Sequence, residues 1–415
     1  MHKYVGPIAA RYASIFIQFG VVAVVIRALN QDEAGQYFVI MGLVWATYFV
    51  AGVGLPDGAV RFVPALVAID NEPQATSLLS RGFRYSLATV PIGAALSACA
   101  LAAYSGACGP AILTGVWWAS YGIIFVSAQA IVASGQGELG TAIFYSAANT
   151  GQLVVTVPLI LLAGLDRLDT VLLATVAGTS LSAAVCLVVA WCRCGRRGVG
   201  QQPLREAWQQ GATIAAGRVV QSCLLWSPVW VVSLTLGASD AALVGLASRL
   251  VSAVAAVIAA VRFSIRPSLA RDAAQGNWRA IESHSSRIAL FTTVLAVAAL
   301  AVAVAAGDPL IAFLFGSSYR GAGIITALML IGTVGESFGG PVDEVLRMSG
   351  HATEVIVLQT AVLVAGIGAQ ALAGWSGGLT ALLMTYGLMF LLLYLVFIGR
   401  LWRLRGILVL PRLTN

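Results

Sequence analysis

The chain has 415 residues, of which 59% are hydrophobic and only 10% charged, with a net charge of +7. A soluble domain carries about 25% charged residues, so this composition excludes an ordinary water-soluble globule. The charges are also clumped: no Asp, Glu, Lys or Arg lies between Arg84 and Glu138, or between Glu354 and Arg400. Each gap holds two stretches of about 20 residues, the length that crosses a bilayer core.

In chain order, apolar periodicity predicts helices near 7–29, 34–55, 82–104, 111–133, 141–163, 168–192, 211–236, 240–261, 287–306, 321–342, 354–373 and 377–399. The reading is an all-α polytopic membrane protein of about twelve spans. Residues 1–192 form an N-terminal six-helix lobe, 193–210 a linker, 211–399 a C-terminal six-helix lobe and 400–415 a tail. The first span reads as uncleaved, because no small-residue processing pattern follows its short basic start. Of the 24 Lys and Arg, twenty fall on the side of the N-terminus; Arg27, Arg167 and Arg320 lie on the other, and Arg249 lies within a span. That asymmetry places both termini in the cytoplasm. It also accounts for the net charge through the inner face and its anionic lipids, with no nucleic-acid partner required.

The stretch Leu29–Leu87 returns near Leu236: Asp32 answers to Asp240, Arg61 to Arg266, Pro64 to Pro267 and Arg81 to Arg287. Ile8–Arg11 likewise matches Ile214–Arg218, and Ala133–Glu138 matches Met348–Glu354. A near-constant register over such a length indicates a duplicated unit. Repeats of six spans run parallel, and two facing lobes enclose a central cleft, which is transporter architecture. Loops are short, the longest being Arg193–Gln210 and Arg262–Arg287. The latter contains Asn277-Trp-Arg-Ala-Ile, a candidate amphipathic surface helix.

Leu29-Asn-Gln-Asp-Glu-Ala-Gly35-Gln-Tyr37 resembles the turn between the first two helices of Wzx-type polysaccharide-lipid flippases, members of the multidrug/oligosaccharidyl-lipid/polysaccharide exporter superfamily. Gly54-Leu55 followed by Arg61-Phe62 is similar to their second-helix exit. Phe315-Gly316-Ser-Ser-Tyr319 and Leu346-Arg347-Met-Ser-Gly350 resemble the turns on either side of their tenth helix. The resemblance implies a flippase that moves an undecaprenyl-pyrophosphate-linked oligosaccharide, an O-antigen, capsule or exopolysaccharide unit, across a bacterial inner membrane. It would do so by alternating access, beside polysaccharide polymerase machinery. A cation-coupled multidrug exporter of the same superfamily is the alternative. It would want an acid well inside a span of the first lobe, and the expected spans show none. A membrane polymerase or ligase is a third reading, disfavoured by the short outer loops.

Candidate cleft residues are few. Arg11 and Arg218 occupy matching places in spans one and seven. A guanidinium suits phosphate in bidentate geometry, and it equally can snorkel to headgroups. Arg249 sits deeper in span eight, where an Arg is costly without a partner or a watery cleft; Glu336 in span ten is its expected partner or a coupling-proton site. Asn149, Gln152 and Gln221 are donors suited to sugar hydroxyls or to interhelical bonds. Pro158 and Pro228 should kink spans five and seven. Asp57 and Arg61, one turn apart, should pair; Asp343 and Glu344 should be solvated. Trp117 and Trp118 read as an interfacial belt. The Cys and His residues form no metal-ligand set, and no phosphate-binding glycine loop with Lys is present. No catalytic group, metal or cofactor is therefore expected, and the chain does not read as an enzyme.

Overall fold

The computed structural model describes residues 2–195 and 204–412, with side chains placed there except at 2–11, 260, 263–268, 270, 271, 273 and 274. Among the described residues there is no strand. The elements are α1 (His2–Ala28), α2 (Gln31–Thr47), α3 (Leu55–Ala68), α4 (Glu72–Ser105), α5 (Cys108–Ala133), α6 (Gly137–Gly151), α7 (Val157–Ala163) and α8 (Leu168–Cys194). They continue with α9 (Leu204–Thr235), α10 (Ala238–Ala274), α11 (Trp278–Phe315), α12 (Ala322–Phe338), α13 (Val342–Leu346) and α14 (Ala352–Arg405). All twelve expected spans are helical. Span two is α2 plus α3, span five α6 plus α7, and spans eleven and twelve share α14, interrupted at Gly378 by a non-helical residue. This is a multi-pass, all-α membrane fold.

Edges differ where polar residues continue a helix. Span eight runs on to Ala274 and span nine starts at Trp278, so the expected loop Arg262–Arg287 is helix on both sides of a short turn. Asn277-Trp-Arg-Ala-Ile is not a separate surface helix: Asn277 caps α11, its side chain accepting from the Ala280 amide at 3.3 Å.

The chain forms two compact units, Met1–Cys223 and Leu224–Asn415. The division falls inside α9, beyond the 193–210 linker assigned from sequence; residues 196–203 of that linker lie outside the described residues. In the first unit α5 is the hub, packed against α3, α4, α6 and α8. In the second, α12 holds the same place against α10, α11 and α14. These are spans four and ten, equivalent positions in the two repeats. Small residues allow the close approach: Gly115 and Gly122 on α5 face Ala94 and Ala51, and Gly335 on α12 meets Leu391.

Trp117 and Trp118 are not a belt but the centre of the first unit, both fully buried. The Trp118 indole occupies the space that a Cβ on Gly93 would need, and its Nε1 donates to Thr47 Oγ1 at 2.9 Å. Trp117 packs on Tyr37 and Tyr121. Missing bulk on a neighbouring helix, invisible locally, draws these rings inward.

The repeat is also written in the backbone. Among the positive-φ residues, Asp70, Gly106, Gly135 and Gly164 in the first unit answer in order to Gly276, Gly316, Gly350 and Gly378 in the second, whereas Gly52, Val53, Gly54, Gly237, Gly321, Gly340 and Gly406 stand outside that correspondence. Asn71 and Asn277 follow the first pair, and both cap the next helix through their side chains. Gly135, just after α5, and Gly350, in the turn that follows α13, have φ of 89° and 90°.

Candidate functional site

Span two is broken. After α2 the chain makes a 3-10 turn, Tyr48–Val50, then runs through Gly52 (φ 81°), Val53 (φ 47°) and Gly54 (φ 87°) before α3 begins. A left-handed Val is strained. The Gly52 amide freed by the break is satisfied by Thr89 Oγ1 at 2.9 Å. Discontinuous helices with buried irregular backbone recur where transporters bind their cargo.

The break sets the direction of α3, whose face Gly54–Asp57–Gly58–Arg61 repeats at three and four residues. Gly54 and Gly58 lie against the α9 backbone at Gly211, Ala212 and Ala207, with no room for side chains on the glycines. Two turns beyond Gly211, α9 carries Arg218 to Asp57. The Arg218 Nη1 to Asp57 Oδ1 distance is 2.7 Å. The expected Asp57–Arg61 pair is thus replaced: Arg61 is exposed, and Asp57, only 4% exposed, takes its partner from the seventh span. The Gln129 amide on α5 also reaches Asp57 Oδ1, at 3.4 Å. Around the pair stand Phe49 and Phe125, 5.8 and 5.9 Å from the guanidinium carbon, and Tyr48, which packs against Phe49, Tyr121 and Phe125.

The second unit has its own polar centre. Arg262 on α10 meets Glu336 on α12 at 2.8 Å, donates to the Glu336 carbonyl at 3.0 Å and lies 5.8 Å from the Tyr394 ring. The Tyr394 hydroxyl donates to the same Glu336 oxygen at 3.2 Å. Glu336 is therefore the partner of Arg262, not of Arg249, because α10 turns Arg262 toward α12 near its C-terminal end. Arg249 is buried under Trp226, 4.9 Å from the indole. Asp343, expected to be solvated, is buried as well, since α13 folds it inward. The register that matches Arg61 with Arg266 also brings Asp57 opposite Arg262, and nearly the same register brings Gln129 opposite Glu336. That correspondence was available in the sequence and is the signal that would have found both centres.

The neutral donors serve packing. Asn149 Nδ2 donates to Ser14 Oγ at 2.7 Å, tying α6 to α1. Gln152 Nε2 reaches Thr179 Oγ1 at 3.2 Å, tying the π-helical turn Gln152–Thr156 to α8. That widened turn precedes Pro158 at once, so span five is interrupted there; α9 continues through Pro228 as one helix. Gln221 is exposed on α9, and the side chain of Arg11 lies outside the described residues. Asn149→Ala should lower stability by about 1 kcal/mol, the scale of a membrane interhelical hydrogen bond. Thermal unfolding of the purified variant is the check, and an unchanged melting temperature would show that the bond adds nothing to stability.

No family model and no curated protein matches the chain. Solved structures do. An inward-facing multidrug resistance MATE family transporter of the MOP superfamily matches with a TM-score of 0.76 at 14% identity, over 93% of each chain. The fold is that of the MATE transporters. An outward-facing structure of such a transporter matches with a TM-score of 0.66 at 16% identity, over 95% of this chain and 93% of the other. A MOP superfamily transporter from Pyrococcus furiosus, described as having a binding pocket of reverse polarity, matches at 0.59 and 14%, over 96% and 95%.

Proposed function

We propose that the protein is an alternating-access exporter of amphipathic organic cations in a bacterial inner membrane, with both termini cytoplasmic. The whole-length likeness to multidrug transporters solved in inward- and outward-facing conformations supports this reading. The observation that carries it is the Asp57 carboxylate. From the sequence, an exporter of this kind lacked an acid within the first lobe; Asp57 is that acid, buried because span two continues past its break and paired with a guanidinium that lies between Phe49 and Phe125.

The flippase reading is second. It is favoured by the turns Leu29–Tyr37, Phe315–Tyr319 and Leu346–Gly350, and by Arg249, a deep cation under an indole that could meet a phosphate. A lipid-linked oligosaccharide and a polymerase partner belong to this reading alone.

Deleting the gene from its host separates the two. The expected result is higher retention of ethidium and greater sensitivity to cationic dyes, restored by the wild-type chain. Full-length lipid-linked repeat units trapped on the inner leaflet, with dye retention unchanged, would overturn the exporter in favour of the flippase.

A further inference from the structure

The Asp57 carboxylate is used on one side only. Its Oδ1 receives both the Arg218 guanidinium and the Gln129 amide, while its Oδ2 is buried without a hydrogen-bond partner. We propose that Asp57 with Phe49, Phe125 and Tyr48 forms a seat for a flat or aromatic organic cation, and that Arg218 is a tethered occupant which the cargo displaces. This rests on the exporter reading and adds the place and the chemistry of recognition.

The pair is asymmetric: the Asp57 side chain is 3% exposed and the Arg218 side chain 38%. The carboxylate is held by packing and the cation is held at its tip, on a long flexible stem that can carry it outward. What Arg218 occupies is a carboxylate beside aromatic faces, the combination that recognises delocalised cations. The guanidinium is itself planar and delocalised, so its fit describes the guest that could replace it. A buried carboxylate left alone is strongly disfavoured, so Arg218 leaves as another cation arrives and not before. The exchange also has a mechanical side. Asp57 and the rings come from the first repeat and Arg218 from the first span of the second, so a seated cargo releases α9 from its charge link to α3. The broken backbone at Gly52–Gly54 lies directly before the seat, where span two can adjust as the occupant changes.

The test is equilibrium binding of tetraphenylphosphonium to the purified full-length chain, with elution profile and melting temperature recorded for each variant. Asp57→Asn should weaken binding about tenfold or more, and Asp57→Glu should keep most of it. Arg218→Gln should tighten binding about tenfold, because the built-in competitor is gone. Phe125→Ala should weaken it severalfold. Wild-type affinity in a folded Asp57→Asn variant overturns the seat, as does weakening in Arg218→Gln equal to that in Asp57→Asn. If wild-type cells export the cation while Asp57→Asn binds it normally, the seat is refuted and the exporter reading stands. A wild-type chain that neither binds nor exports it refutes both.

Discussion

Arg262→Ala should destabilise the protein by about 3 kcal/mol, near the lower end for breaking a buried ion pair because Glu336 keeps some exposure. Removing the guanidinium strips Glu336 of its salt bridge and leaves its carbonyl without the Arg262 Nη2 donor; the Tyr394 hydroxyl alone remains on the carboxylate. The double variant Arg262→Met, Glu336→Leu should recover most of that loss. It exchanges a desolvated pair for apolar volume, which is often neutral or stabilising. Thermal unfolding of the detergent-purified variants provides the comparison, and a neutral single variant would mean the pair is solvated. Transport by the double variant adds a second answer. Retained export would show that Glu336 carries no coupling proton and that the second unit's polar centre fixes α10, α12 and α14 together. Lost export with recovered stability would restore Glu336 to a coupling role.

Gly58→Val should have an effect as large in the first unit. Any Cβ at Gly58 collides with the carbonyl of Ala207, and Gly54 and Gly211 meet backbone to backbone on the same seam. Neither rotamers nor small side-chain shifts relieve a clash with backbone, so α9 must move off α3, at a cost of about 3 kcal/mol or more. The consequence reaches beyond stability, because that seam is what delivers Arg218 to Asp57. The expected phenotype is a lowered melting temperature together with altered tetraphenylphosphonium affinity. Gly82→Ala is the matched control. Gly82 is buried in α4 with open space where its Cβ would stand, and a helical Gly→Ala exchange should gain up to about 1 kcal/mol. Equal melting temperatures for Gly58→Val and the wild type would show that the seam is loose.

The spans were legible because lipid demands long apolar runs, and the repeat because Asp32, Arg61 and Arg81 recur in register. Helix ends were not, since residues such as Arg279 and Glu282 continue α11 as readily as they would form a loop. Trp118 was misplaced because a ring near a span end looks the same whether it faces headgroups or a glycine on the next helix. Asp57 differs most from what its sequence neighbours suggest. Read as the end of a span, it had a partner one turn away; only the glycine seam between α3 and α9 shows that its counter-ion comes from the other repeat. Arg262 looked like one more inner-face charge until α10 proved long enough to hold it inside.

The matched left-handed residues bear on the chain's history. Asp70 with Gly276, and Gly135 with Gly350, keep their handedness while the side chains between them have diverged. A descendant of a doubled gene can exchange almost any lipid-facing residue for another, but a corner that reverses the chain admits few alternatives. The two halves are therefore best matched by where the backbone turns over.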